Sequence, residues 1–506
     1  MSETQAKAGR KEWIGLAVLV LPCLLISMDI SVLFLALPFI STDLAPTATQ
    51  QLWIMDIYGF VLAGMLITMG ALGDRVGRRK VLLLGAGAFG VASVAAAYSG
   101  SADMLIATRA VLGLAGATLM PSTLALVRNM FHDDGQRKTA IAVWTSGMTS
   151  GAILGPVIGG FLLNHFAWGS VFLINVPAML LLLVAGPILL PEFRTRTAGR
   201  FDLPSAVLSL ASVLGVIYGV KEMAVDGLRL VPALSVFAGL LLGVAFVRRQ
   251  QVHPTPLIDV KLFGHRAFSS SVLVNVIGTF AFIGTSLFTN QYLQLVLGLR
   301  PLTAALWSLT VMPVIFVAMA VSGILAKKVR PSAVLGGGLL MMALGAGVLT
   351  QVHADSPLWL VLAGAAIVAS GFLVSSMLTA DLILSAAPPE RAGAASALAE
   401  TGSELGGALG LAILGSVGAA VYHHQMAGKG EASETLASAV AAAARMPGQI
   451  GTALLDDGRA AFTHGMNVAA LSGAAVLAVA AVAVLVLLRG LRTTSPEVEV
   501  RELSAV

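Results

Sequence analysis

The sequence predicts an all-α polytopic membrane protein built as two six-helix bundles with two further membrane helices inserted between them. Composition is the first reason: of 506 residues, 57% are hydrophobic and 11% charged, and the mean hydropathy is +0.89, whereas soluble domains run near about 45–50% apolar and about 25% charged. The second is spacing. Fourteen apolar stretches approach or exceed the roughly 20 residues that a helical crossing needs: 13–39, 52–72, 81–99, 104–127, 139–163, 171–190, 203–220, 230–247, 268–293, 302–326, 333–350, 358–384, 393–422 and 464–488. The third is a faint repeat. GILAKKVRP at 323–331 follows the tenth stretch as GALGDRVGRRK at 70–80 follows the second, with Lys327 standing where Asp74 stands. Weak internal symmetry of this kind marks membrane folds assembled from repeats.

Taken in order, residues 1–12 are short and mildly basic, and the apolar stretch after them is too long for a removed signal, so it reads as an uncleaved first span. Most of the 31 Lys and Arg fall in the alternate loops that share a side with the N-terminus. The positive-inside rule then places both termini in the cytoplasm. The repeat divides the chain into an N-terminal bundle at 1–190, linkers and the inserted pair at 191–267, and a C-terminal bundle at 268–506. The inserted pair is expected to lie outside both bundles. The outer loop 423–463 contains an Ala-rich run and a Pro447-Gly448 break. A helical hairpin and a disordered loop are both compatible with it.

Several function classes are excluded. A net charge of +5 and a pI near 9.5 could suggest nucleic acid, but the basic residues are spread through short loops between spans, as membrane topology requires. Cys23 is the single cysteine, so there is no internal disulfide and no Cys/His metal spacing. His423 and His424 are adjacent and do not share a helix face. The GxGxxG match at Gly85–Gly90 lies inside a span with no preceding strand, which argues against a dinucleotide site. With no nucleophile–base pair and no nucleotide loop, an enzyme is not expected, nor a metal or organic cofactor. The expected partners are the lipid bilayer and small molecules, with no obligate protein partner evident.

Charged groups inside spans are costly, and they are the candidate site. Five acids qualify: Asp29, Asp56, Asp381, Glu400 and Glu404. Arg109 in the fourth span is the single intramembrane cation. It can serve as the ion-pair partner of a span-one or span-two carboxylate or as part of a proton relay. Glu400 and Glu404 share one helix face, while Gly402, Gly406 and Gly410 form a ridge on another that should pack against a neighbouring helix. Gly147, Gly151, Gly155 and Gly159 recur every four residues in the fifth span, with Pro156 and Gly160 beside them. The polar interruption at 70–80 orders Gly73, Asp74, Arg75, Gly77 and Arg78 in a way no plain basic loop requires.

These motifs carry a resemblance. GALGDRVGRRK is similar to the second–third loop motif G-x-L-[AG]-D-R-x-G-R-[RK]-[RK] of the major facilitator superfamily. Arg109 and Gly113 resemble its fourth-helix R-x(3)-G, and the fifth-span row resembles the G-x(3)-G-P-x(2)-G-G antiporter motif. With DISVLFLALP at 29–38, WIMDIY at 53–58 and fourteen spans, the chain resembles the fourteen-span drug/proton antiporters, most closely the QacA and SmvA type. That resemblance implies the major facilitator fold and proton-coupled export of lipophilic cations, quaternary ammonium compounds and dyes from a bacterial cell. It implies Asp29 as a proton and cation site, and the proton as coupling ion. If the bundles pair as in that family, Gly155 and Gly159 are expected to admit the tenth span. Exporters of neutral antibiotics, amino acids or metabolites, and importers of the same fold, remain the alternatives.

Overall fold

The computed structural model describes residues 8–194, 202–226, 229–253, 263–264, 266–325, 329–385 and 392–487. Among the described residues all regular structure is helical. The first group comprises α1 (Arg10–Leu44), α2 (Ala48–Val76), α3 (Arg78–Ala97), α4 (Ala102–Met130), α5 (Asp134–His165), the single turn α6 (Ser170–Leu173) and α7 (Asn175–Leu189). Next come α8 (Leu203–Asp226) and α9 (Leu230–Val252). The second group comprises α10 (Arg266–Gln291), α11 (Pro301–Leu309), α12 (Met312–Leu325), α13 (Pro331–Leu349), α14 (Leu358–Ser385), α15 (Ala392–Gln425), α16 (Leu436–Ala444) and α17 (Gly448–Leu487). Twelve of these helical segments are long and apolar enough to cross a membrane, or thirteen if α2, bent by 50° between Leu66 and Thr68, is one span. The chain is therefore a multi-pass membrane protein. Among the described residues of α8 the apolar stretch is Val207–Val216.

Local chemistry sets the helix ends. Thr47, Ser101 and Asp133 cap α2, α4 and α5 by accepting from the backbone N–H three residues on, which satisfies donors that the first helical turn leaves free. Two expected spans are broken. The sixth divides into α6 and α7, with Pro177 in the first turn of α7, and the tenth divides into α11 and α12, with Pro313 at the second position of α12. Proline lacks the N–H that would continue the preceding helix but is tolerated in a first turn. The last span begins earlier than its apolar stretch, at Gly448. The loop 423–463 is a helical hairpin: a 3₁₀ turn at Gly430–Ser433, then α16, then the polar start of α17. Tyr422 Oη donates to the Ala432 carbonyl at 2.9 Å and holds the hairpin to α15.

One apolar core is shared by α1–α7, and a second by α10 and α13–α17. They meet on the side of the molecule that carries the hairpin. Leu287, Ala304, Ala305 and Leu411 of the second group are buried in the first group's core there, and Leu52 of α2 lies against Gly415 of α15. A cavity of about 50 Å³ remains in this seam, bordered by Gln51, Gln291, Glu434 and Phe462. The opposite side, the motif side, carries the 73–78 loop.

The inserted pair does not stand apart from the bundles. Helix α8 packs on both α2 and α15: Leu210 reaches Gly64, and Val213 and Leu214 cover the fully buried Phe60 and Ala412. The pair is in contact with both bundles through α8, where Gly64 leaves a notch that a leucine fills. Helices α8 and α9 are themselves joined by Ser212 Oγ to the Gly239 carbonyl at 2.7 Å and Ser235 Oγ to the Gly215 carbonyl at 2.8 Å. Their motif-side ends are clasped by Arg249 Nη2 on Asp202 Oδ1 at 2.7 Å. Burial opposes the Asp202 charge, but hydrogen bonds from Arg249 and Ser205 outweigh it and bring the carboxyl down to about 2. Its contribution to stability is complete above pH ~4 and is lost only as the pH falls toward 2.

Candidate functional site

The site is built from three helices of the first group. Asp29 on α1 and Arg109 on α4 form a buried ion pair, Arg109 Nη1 donating to Asp29 Oδ2, with both side chains almost wholly out of solvent. Arg109 Nε donates to the Ile54 carbonyl of α2 at 3.1 Å. Its guanidinium carbon lies 4.8 Å from the centre of the Tyr58 ring and 6.0 Å from that of Phe172. A guanidinium held by a carboxylate, a carbonyl and two ring faces is charge-paired and desolvated at once. Asp56, only 1% exposed, lies on α2 two residues from both Ile54 and Tyr58. Two carboxylates and one guanidinium are thus buried in the same stretch of α1, α2 and α4.

Close helix approach makes this geometry. One turn beyond Arg109, a side chain at Gly113 would meet the Tyr58 carbonyl at 2.5 Å, so only glycine lets α4 lie on α2 near enough for Arg109 to reach the α2 backbone. The fifth-span glycines do the same for α1. Carbon atoms added at Gly147, Gly151, Gly155 and Gly159 would meet Val20, the Leu24 carbonyl, Ser31 Oγ and Val32 at 2.2–2.7 Å. Ser27 Oγ donates to the Met148 carbonyl across the same seam at 2.8 Å. The expected approach of the tenth span to Gly155 and Gly159 is therefore corrected: the row faces α1 of its own group, because its four-residue spacing keeps it on one helix face. Gly160 alone of that motif turns to the tenth span, against Leu302 of α11 at 2.7 Å. Pro156 sits within α5 without ending it.

The loop motif forms a second constellation. Asp74 accepts from Arg78 Nε at 2.8 Å and pairs with its Nη2 at 2.6 Å. Gly73 leaves room for the Arg78 side chain, 3.0 Å from where a Cβ would stand, and Gly77 turns the chain with φ 122°, a conformation natural only to glycine. Glu192, just past α7, occupies the space a Cβ at Gly77 would need, accepts the Arg79 N–H at 3.2 Å and pairs with the Arg79 guanidinium at 3.6 Å. The Phe193 carbonyl accepts the Arg78 N–H at 3.0 Å. A carboxylate at the first turn of α3 is favoured by the helix dipole. Sequence reading missed Glu192 because it sits in a polar linker 113 residues from its partner. It likewise missed Tyr58 and Phe172, which look like ordinary span aromatics.

In the second group, Gly406 and Gly410 press α15 on the Val276 and Phe280 carbonyls of α10, with Gly402 beside Val276, as the ridge predicts. Asp381 lies on α14, and Glu400 and Glu404 lie on α15; their side chains fall outside the described residues, as does Lys327. Among the described residues, no group of three or more His, Cys, Asp or Glu side chains could hold a metal ion.

Residues 20–411 match the family model of the Major Facilitator Superfamily. The chain is 44% identical to the multidrug efflux pump LfrA of Mycolicibacterium smegmatis, over 94% of this chain and 95% of that protein. It is 36% identical to the methyl viologen resistance protein SmvA of Salmonella typhimurium, over 93% and 97%, and 32% identical to the tetracenomycin C resistance and export protein of Streptomyces glaucescens, over 94% and 91%. Its fold is similar to that of a bacterial homologue of the human lysosomal transporter Spinster, solved inward-facing and unoccupied, with a TM-score of 0.68 at 18% identity, covering 95% of this chain and 98% of that one. A family model spanning most of the chain, relatives aligned almost end to end and a shared helical fold lead to one conclusion: the chain belongs to the major facilitator superfamily of membrane transporters.

Proposed function

We propose that this protein is a proton-coupled antiporter of the bacterial inner membrane that exports lipophilic cationic drugs and antiseptics. The observation that carries the reading is the buried triad of Asp29, Asp56 and Arg109. With both acids ionised, the three groups sum to one negative charge in a region where uncompensated charge is costly. One proton or one monovalent cation restores neutrality, so the two compete for the same place, and that competition couples them. Glu400, Glu404 and Asp381 would add acidic sites in the second group. The likeness to a multidrug efflux pump and to a methyl viologen resistance protein supports export of cations.

In this reading α8 also crosses the membrane, which makes fourteen spans with α6–α7 and α11–α12 each counted once. Residues 1–190 and 268–506 are the two bundles, the motif side is cytoplasmic and both termini lie there. The Asp74–Arg78 loop gates the cytoplasmic side, and Glu192 holds it in its present position. Glu192→Ala removes a carboxylate worth about 1 kcal/mol at a helix start. Export is therefore expected to fall by about five-fold with an unchanged amount of protein in the membrane; full export would remove Glu192 from the gate.

The reading is tested by expression in an efflux-deficient bacterium. Tolerance to a quaternary ammonium compound should rise and a protonophore should abolish the rise. No rise, or a rise that survives the protonophore, would refute it. A second reading, export of an antibiotic rather than of cations as a class, is favoured by the likeness to the tetracenomycin C resistance and export protein, and would show as tolerance to neutral antibiotics alone.

A further inference from the structure

The small cavity in the hairpin-side seam is walled by both helix groups and by the hairpin itself. It begins just outward of the buried acids. Met55 on α2, the neighbour of Asp56, borders it, and so does Leu37 on α1, which lies about 12 Å along the helix from Asp29 at ~1.5 Å per residue. Its volume of about 50 Å³ is that of roughly four water-sized spheres at ~10–15 Å³ each. A nitrogen carrying three methyl groups is of that size.

Three polar side chains on this wall have no partner among the described residues. Gln291, the last residue of α10, is only 9% exposed, yet neither its amide nor that of Gln51 on α2 makes a hydrogen bond there. The half-buried Glu434, just past the 3₁₀ turn of the hairpin, makes no ion pair. Arg459, one turn before Phe462 on α17, donates instead to the Leu295 carbonyl at 3.3 Å, and Lys429 is paired with Asp457. A buried amide that uses neither its donor nor its acceptor is costly, so these groups are arranged for something that enters the cavity. Phe288 supplies a ring face by seating against Gly418, where a Cβ would stand 2.4 Å from the ring. Phe462 lies beside it, with ring centroids 6.0 Å apart. Among the described residues no Lys, Arg or His borders the cavity. A carboxylate, amide oxygens and aromatic rings without a competing cation are the surroundings that an alkylated ammonium group prefers.

Resting on the exporter reading for the class of ligand, we propose that this cavity is a second cation site, separate from Asp29, Asp56 and Arg109, at which Glu434, Gln51 and Gln291 hold an alkylated ammonium group against Phe288 and Phe462. Equilibrium binding of benzyltrimethylammonium to the purified full chain in lipid nanodiscs tests it, with Asp29→Asn and Arg109→Gln combined so that the inner charge pair is absent. Saturable binding is expected there, weakened at least about five-fold by Glu434→Gln and kept within about two-fold by Glu434→Asp. Glu431→Gln is the control, because Glu431 is exposed on the same hairpin and does not border the cavity. Neopentylbenzene, which has the same shape without the charge, should bind no more tightly with Glu434 than with Gln at that position. The same weakening of one binding component is expected when Glu434→Gln is made in the otherwise unmodified chain, which keeps the test open should the double variant fail to purify. No saturable binding, or binding indifferent to Glu434→Gln, would overturn the proposal. Equal weakening by Glu434→Asp or by Glu431→Gln would make the effect one of hairpin packing and overturn it too. Because binding is read without transport, Glu434-dependent binding by a protein that confers no tolerance to quaternary ammonium compounds would leave the site standing and sink the exporter reading.

Discussion

Asp29→Asn is expected to reduce export of every cationic substrate to background and to lower the amount of protein in the membrane, because it strips Arg109 of its buried partner. Leaving one member of a buried pair uncompensated costs about 3–5 kcal/mol, a large share of the about 5–15 kcal/mol that holds a typical domain folded. The sequence alone suggests a normal protein level for this variant; the Arg109 contact changes that expectation. Combining Asp29→Asn with Arg109→Gln removes both charges and should return the protein level to near normal while export stays at background. Quantitative immunoblotting with dye transport in the same vesicles separates the two effects. Export by the double variant would show that the pair is purely structural, and the coupling site would then have to lie among Asp56, Glu400, Glu404 and Asp381.

The second large effect is expected at Gly155, for a reason that differs from its motif's usual association with the partner bundle. A leucine there collides with Ser31 Oγ, 2.2 Å from the Cβ position, and with Met28 Cγ at 2.9 Å. Both belong to the turn of α1 that carries Asp29. Overpacking costs about 1–3 kcal/mol, and a similar loss in the transport barrier is roughly 5- to 150-fold in rate. Gly155→Leu should therefore cut transport of all cations about ten-fold. Gly160→Leu, which meets the α11 backbone, should instead hinder closure on the hairpin side. Spin labels on α1 and α4 should report a longer α1–α4 distance in Gly155→Leu and an unchanged one in Gly160→Leu. An unchanged distance in both would disconnect the glycine row from the placement of Asp29.

The sequence by itself determined the class of the molecule. Apolar runs of span length, the bias of Lys and Arg to alternate loops, the ordered 70–80 interruption and the intramembrane charges are all local features, read without knowing which helices touch. They named Asp29, Asp56 and Arg109 as the groups to explain, and the motif glycines as close-packing positions. Only the tertiary structure decided the partners. Asp29 and Arg109 are 80 residues apart, Glu192 and Arg79 are 113 apart, and the choice between Asp29 and Asp56 as the arginine's carboxylate was open in the sequence. The reason is physical. A soluble helix announces its buried face by apolar periodicity, but a membrane helix is apolar toward lipid and toward protein alike, so its sequence shows that a glycine row packs and not what it packs against. The same ambiguity hid α8, whose ordinary apolar face fills a notch between α2 and α15 that exists only once both helices are in place.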